Sequence, residues 1–151
     1  MYWDALSALR DSIKECVDLS CEYRFIVSLG QVPEECNLIA FYLKDSRRAK
    51  ESSECDTIFD TSFVVSITRC CYGIDGQLTW NIDQEEQEAQ CFLNDLNVLR
   101  ECLACTSAEV LAPYTMACSP IIEDITTEAM REGGCYTAYI EMSFAEQQCC
   151  G

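Results

Sequence analysis

Apolar residues recur at steps of three and four through Tyr2, Ala5, Leu6, Leu9, Ile13, Cys16 and Val17, the stripe of an amphipathic helix. Asp4, Arg10, Asp11, Lys14 and Glu15 fill the opposite face and read as a solvated surface. From Glu22 the step changes to two. Tyr23, Phe25, Val27 and Leu29 alternate with Glu22, Arg24 and Ser28 until Gly30 and Pro33 end the run, which predicts a half-buried strand. Cys36 to Leu43 is apolar nearly throughout, as in a strand covered on both faces. The connection between these strands is too short for a helical crossover, so an antiparallel pair is expected.

The next stretch, Lys44 to Glu54, holds four of the ten basic residues, Lys44, Arg47, Arg48 and Lys50, and almost no hydrophobicity. It predicts an exposed loop over about 44–56. Phe59, Thr61, Phe63, Val65 and Ile67 then share one face of a long third strand that runs on to Cys71 or Tyr72, where Gly73 and Gly76 break it. Asp83 is suited to start a second helix, with Glu85, Glu86 and Glu88 at the positive end of its dipole and Ala89, Phe92, Leu93, Leu96, Leu99 and Leu103 as its apolar stripe. Beyond Thr106 the pattern is irregular. The stretch to Ile122 contains Pro113 and Pro120 and suggests a short strand around 111–118, and Glu123 to Arg131 suggests a helical turn. Gly133-Gly134 then releases the chain into a last strand, with Tyr136, Ala138, Ile140, Met142 and Phe144 on one face.

This order predicts one α+β domain spanning 1–151, a mixed, mainly antiparallel sheet of about four or five strands with two main helices packed on one face. No run of about 18 apolar residues occurs, so no membrane partner is expected. The amino terminus is amphipathic and charged, without the apolar core or cleavage site of a secretory signal.

Ten Lys and Arg stand against 26 Asp and Glu, a formal net charge of −16 with no His present. Such a surface repels phosphate, so nucleic acid is not expected to be held, although a polyanion can slide past it. The missing His removes the commonest general base, the usual partner of Ser and Cys nucleophiles, and the commonest metal ligand. Phosphate-cradling and nucleophile-elbow motifs are absent from the sequence, and the acids Asp83, Glu85, Glu86 and Glu88 read as a solvated face before they read as an acid/base pair or a cation site. Arg69 beside Cys70 is the clearest neighbour able to activate a thiol.

Thirteen cysteines raise the question of a disulfide scaffold or a zinc site. The one C-x-x-C, Cys102 with Cys105, falls inside a predicted helix, and the adjacent pairs Cys70/Cys71 and Cys149/Cys150 point to opposite faces if they lie on strands. The reading is therefore reduced thiols used as small buried hydrophobes, with no metal and no cofactor.

Taken together, several features resemble the tail-terminator proteins of long-tailed bacteriophages, in particular the neck proteins of phages that infect actinobacteria. They are the opening helix, the strand pair around Gly30-Gln31-Val32-Pro33-Glu34-Glu35-Cys36, the polar segment, the strand ending in Cys70-Cys71-Tyr72-Gly73, the Asp83 helix and the closing Gly133-Gly134-Cys135 strand. The resemblance implies a non-enzymatic virion protein, assembled in the host cytoplasm, whose six copies form a ring. That ring would cap the tail tube, dock the head connector or stopper, and let genome DNA pass without specific binding. On this reading Lys44, Arg47, Arg48 and Lys50 are candidate contacts to a neighbouring subunit or the tail-tube protein. Glu34, Glu35, Asp83, Glu85, Glu86 and Glu88 are candidates for an acidic lumen wall. The high cysteine content departs from the family. Another connector component, adaptor or stopper, fits the same features, and a cysteine-rich zinc- or redox-active protein is the alternative from a different class.

Overall fold

The computed structural model describes residues 2–30, 37–48, 56–70, 82–112, 121–132 and 135–149. Helix α1 (Tyr2–Cys16) forms where the three-four spacing places it and buries Ala5, Leu6, Leu9 and Ile13. Strand β1 (Arg24–Ser28) is followed by β2 (Leu38–Arg48) and β3 (Asp56–Cys70). Helix α2 (Ile82–Leu111) then leads to β4 (Ile121–Glu132) and β5 (Cys135–Cys149). The five strands make one sheet in the order β1-β2-β3-β5-β4, with one parallel pair and three antiparallel pairs. The protein is thus α+β with two helices on a mixed sheet.

Alternation decides which residues meet the helices. Phe63, Val65 and Ile67 of β3, Ile39 and Phe41 of β2, and Tyr136, Ala138, Ile140 and Met142 of β5 form one core with α1 and α2. From α2 this core takes Phe92, Leu96, Leu99, Cys102, Leu103 and Leu111. Phe92 stacks on Tyr136 with ring centroids 5.4 Å apart, fixing the first half of α2 over β5. Leu38 to Tyr42 is buried at every position, as its unbroken apolar run predicts.

Four local expectations are corrected. The first concerns β1 and β2, which pair in parallel from Arg24↔Leu38 to Ser28↔Tyr42. A five-residue strand spans roughly 17 Å, while nine residues, 29–37, can reach about 30 Å, so the connection is long enough for a parallel return. Asn37, at φ 56°, turns the chain into β2, and its carbonyl accepts the Arg24 amide at 2.9 Å. Asn is among the few residues that adopt this left-handed conformation at low cost.

The second correction is to the polar loop over about 44–56. Lys44 to Arg48 continue β2, and Asp56 already belongs to β3, with Arg48 paired to Phe59; residues 49–55 lie outside the described residues. Ladder hydrogen bonds, which do not depend on side-chain polarity, carry the strand past its apolar half. Third, α2 continues through Thr106 and Ser107 to Leu111, where a strand was expected to begin. Thr106 Oγ1 folds back onto the Cys102 carbonyl at 2.6 Å, and Ser107 is buried with its hydroxyl on Met142 Sδ, so both polar residues are accommodated within the helix. The helix stops just ahead of Pro113, which disfavours helical backbone before it.

Fourth, Glu123 to Arg131 is strand and not a helical turn. β4 pairs with β5 along its length, from Ile121↔Ala145 to Glu132↔Cys135. Five of its twelve residues are β-branched Ile or Thr, and only two residues separate it from β5, the spacing of a tight hairpin.

The cysteines whose side chains are described depart from the reading of buried reduced thiols. Cys16, at the end of α1, forms a disulfide with Cys102 of α2 across a Cα–Cα distance of 6.1 Å and a sequence separation of 86. The described free thiols are not buried: Cys21 and Cys91 are half-buried and Cys105 is exposed. Packing α1 against α2 creates the pair, so nothing local to either cysteine announces it.

Closing a loop of that size removes on the order of 4–5 kcal/mol of unfolded-chain entropy in the simplest treatment, and each kcal/mol moves the melting temperature by about 2–4 °C at this chain length. Cys16→Ser should therefore melt roughly 10 °C lower by calorimetry. A reductant should lower the wild type by a similar amount and leave C16S nearly unmoved; equal melting of oxidised and reduced wild type contradicts the bond.

Candidate functional site

Two of the basic residues singled out in the sequence, Lys44 and Arg47, lie on the sheet face opposite the helices. Because β2 shifts register between Leu43 and Asp45, with Leu43 opposite Phe63 and Asp45 opposite Ser62, the strand gains an extra residue at Lys44. Lys44, Asp45 and Arg47 consequently line one open groove of about 370 Å³ together with Asp60, Ser62, Glu141 and Ser143. Lys44 Nζ lies 3.0 Å from each carboxylate oxygen of Glu141, and Arg47 reaches Asp45 at 3.1 Å. Ser62 and Ser143, directly opposite each other on β3 and β5, share a hydrogen bond of 3.1 Å. Exposed ion pairs of this kind contribute about 0–1 kcal/mol each. Their consequence is electrostatic: two cations, Lys44 and Arg47, are each matched to an acid, while Asp60 leaves the groove mildly acidic.

The structure brings Lys44 and Arg47 into this groove as flat-lying strand residues and not as a projecting loop. Arg48 closes the described part of β2, and Lys50 lies outside the described residues, as do Glu34 and Glu35. Asp83 and Glu85 fall in the first turn of α2. Glu86 is exposed, while Glu88 is half-buried and joined to Arg69 at 3.1 Å, so its charge is already paired.

A second polar assembly sits on the helix side. Asp95, only 3% exposed, occupies the apolar face of α2 between Phe92 and Leu96. Its Oδ1 accepts the Ser20 amide at 2.9 Å, and its Oδ2 accepts the Ser20 hydroxyl at 2.6 Å and the Tyr23 hydroxyl at 2.9 Å. Arg69 of β3 comes within 3.5 Å of the same carboxylate and donates to Ser20 Oγ at 2.8 Å. One carboxylate therefore ties the α1–β1 connection, β3 and α2 together. Burial, then the charge and hydrogen bond of Asp95, push the Tyr23 phenol well above its ordinary range, although Arg69 opposes the shift. Burial alone would lower the Arg69 pKa, but Glu88, Tyr23, Cys21 and Asp95 together raise it.

The Ser20 hydroxyl donates to Asp95 and accepts from Arg69, so it links the two charged groups within the network. Arg69 is held by two carboxylates of α2, Glu88 and Asp95. Beside the network lies a wide groove of about 530 Å³ whose walls include Lys14, Leu19, Cys21, Arg24 and Phe25. Among the described residues, no group of three or more Cys, Asp or Glu is placed to hold a metal ion. No helix is long and apolar enough to cross a membrane, again among the described residues.

Sequence reasoning missed Asp95, Ser20 and Tyr23 as a unit. The available signal was an acid on an apolar stripe: Phe92, Asp95, Leu96 and Leu99 share a face at helical spacing, and a carboxylate there requires partners. Neither the protein-family models nor the curated proteins compared with this sequence give a match.

Replacing Asp95 by Ala leaves the buried Tyr23 phenol, Ser20 and the half-buried Arg69 without their shared acceptor, so it should cost about 1–3 kcal/mol in urea unfolding. A loss below about 1 kcal/mol contradicts the role assigned to Asp95. Tyr23 keeps its proton in the fold at pH values where the unfolded chain, titrating near 10.0, has lost it. The corresponding stability is present below that pH and falls by about 1.4 kcal/mol per unit as pH rises above it. With thiols alkylated, Tyr23→Phe should unfold with a shallower alkaline slope than the wild type.

Proposed function

We propose that this chain is a structural virion protein of the neck of a long-tailed bacteriophage, a tail terminator whose copies form a ring on the end of the tail tube and dock the head connector. The observation that carries the reading is the pair of open flanks on the sheet. β4 has β5 on one side and no described strand on the other, and β1 covers only residues 38–42 of β2. Strand edges of this kind are templates for joining another polypeptide. The sequence resemblance and the formal net charge of −16 support the same function, since an acidic ring lets DNA pass without holding it.

In this reading Lys44, Arg47, Arg48 and Lys50 belong to the surface that meets a neighbouring subunit or the tail-tube protein. The lumen wall is assigned to Glu34, Glu35, Asp83, Glu85 and Glu86; Glu88, paired with Arg69, contributes less field. The partners are further copies of the chain, six by the family resemblance, the major tail-tube protein and the head-tail connector or stopper. The protein acts in the virion after assembly in the host cytoplasm, and it catalyses nothing.

Electron micrographs of the purified protein, alone and mixed with the tube-forming protein of the same virion, test the proposal. Closed rings seated on blunt tube ends are expected, together with arrested tube growth. Tubes that elongate unchanged contradict the terminator role, and rings that bind connector but not tube point instead to an adaptor or stopper.

A further inference from the structure

The Cys16–Cys102 bond marks the sides on which the two helices face each other, and helical geometry then fixes what their outer sides carry. Leu93 precedes Cys102 by about two and a half turns, which puts the two on opposite sides of α2. Arg100 follows Leu93 by nearly two whole turns and shares its side. Trp3 and Cys16 stand about 140° apart around α1, so Trp3 likewise faces away from the other helix. α1 packs on β1 and β2 at one flank of the sheet, and α2 reaches β4 at the other. The helix layer therefore carries Trp3 on one outer flank and Leu93 with Arg100 on the opposite one.

The α2–β4 flank contains a cleft of about 190 Å³ lined by Leu93, Leu96, Asn97, Arg100 and Thr127. Pockets that enclose whole small molecules measure roughly 300–1,000 Å³. This one suits a single large side chain. Leu93, 53% exposed, gives it an apolar wall. The Thr127 hydroxyl is buried with no hydrogen-bond partner among the described residues, so an acceptor is left open. Arg100 is exposed, and among the described residues nothing pairs with its guanidinium. An apolar wall, a spare acceptor and an unpaired guanidinium together match an indole, whose ring packs on leucine, whose N–H donates to a hydroxyl and whose face attracts a cation.

Trp3 supplies that group. It sits in the first turn of a helix anchored by Ala5, Leu6 and Leu9, yet it is 52% exposed. Tryptophans that become buried on association are among the residues that dominate protein interfaces. Because Trp3 and the cleft face outward from opposite flanks, the indole turns away from the cleft of its own chain. The occupant is therefore the Trp3 of another copy.

We propose that Trp3 of one copy inserts into the α2–β4 cleft of the next, which brings the second copy against the open edge of β4. This inference rests on the reading of the protein as a ring subunit and names the contact that joins successive copies. The two surfaces differ, so the contact is head to tail and propagates around a circle, which a contact between two identical surfaces does not.

Two variants of the full-length chain test it. Trp3→Ala and Leu93→Glu change exposed side chains and should melt like the wild type. In analytical ultracentrifugation each variant alone should self-associate at least about tenfold more weakly than the wild type. Mixed in equal amounts they should form pairs and stop there, because Trp3 of the L93E chain fits the cleft of the W3A chain and no second contact remains. Unchanged association of either variant, a mixture that stays monomeric, or a mixture that restores larger assemblies overturns the proposed contact. Rings that persist in micrographs of both variants overturn it while leaving the ring reading intact. Open wild-type oligomers that both variants disrupt support the contact and contradict the ring, and a wild-type chain that stays monomeric, alone and on tubes, overturns both.

Discussion

The ladder between β3 and β5 is the interaction on which the other features depend. Fifteen residues of each strand pair without a register shift, from Asp56↔Cys149 to Cys70↔Cys135, so the two strands form a ribbon roughly 50 Å long. This ribbon is longer than the short β1 and outruns the part of the sheet that β1 covers. Its odd positions on β3 face the helices and build the core, while Ser62 and its neighbours turn to the opposite face. Because β2 follows β3 past the end of β1, and β4 follows β5 to the far flank, the sheet ends in two strand edges of opposite direction. The ladder thus determines the core and the surfaces available for assembly alike.

Two long-range ties hold the helices to that sheet. Asp95 gathers Ser20, Tyr23 and Arg69 from three separate parts of the chain, and the Cys16–Cys102 bond joins the end of α1 to the middle of α2. Both act on the same layer, while the opposite face carries the groove of Lys44, Arg47 and their paired acids. A buried carboxylate with several partners is costly to disturb and contributes more to a unique arrangement of elements than to net stability. That is consistent with a scaffold whose edges must be presented in register.

Where the structure was legible in the sequence, the reason is local. The stripe Ala5, Leu6, Leu9 and Ile13 and the alternation of Phe63, Val65 and Ile67 each report their own element, and the α+β class follows from their order. Lys44 to Arg48 was misread because strand polarity is set by neighbours: with a hydrogen-bonded ladder on β3, a polar sequence remains strand. Asn37 and the nine residues before β2 hid a parallel return, and the β-branched content of β4 was outweighed by its acids. Of the candidate site, Lys44 and Arg47 were identified as a group, but their pairing with Glu141 and Asp45 depends on residues about a hundred positions apart in one case and on a bulge in the other. Cys16 with Cys102, and Asp95 with Ser20, are likewise invisible until α1 and α2 pack.

The central claim is that the edge of β4, which has no described strand beyond it, is where another copy of the chain or a partner joins the sheet. Backbone hydrogen exchange followed at increasing protein concentration addresses it most directly, since edge amides exchange with water until a strand covers them. Amides of β4, residues 121–132, should gain protection as concentration rises, while those in the middle of β3 stay protected throughout. Protection of β4 that is independent of concentration, in protein that remains monomeric, would contradict it.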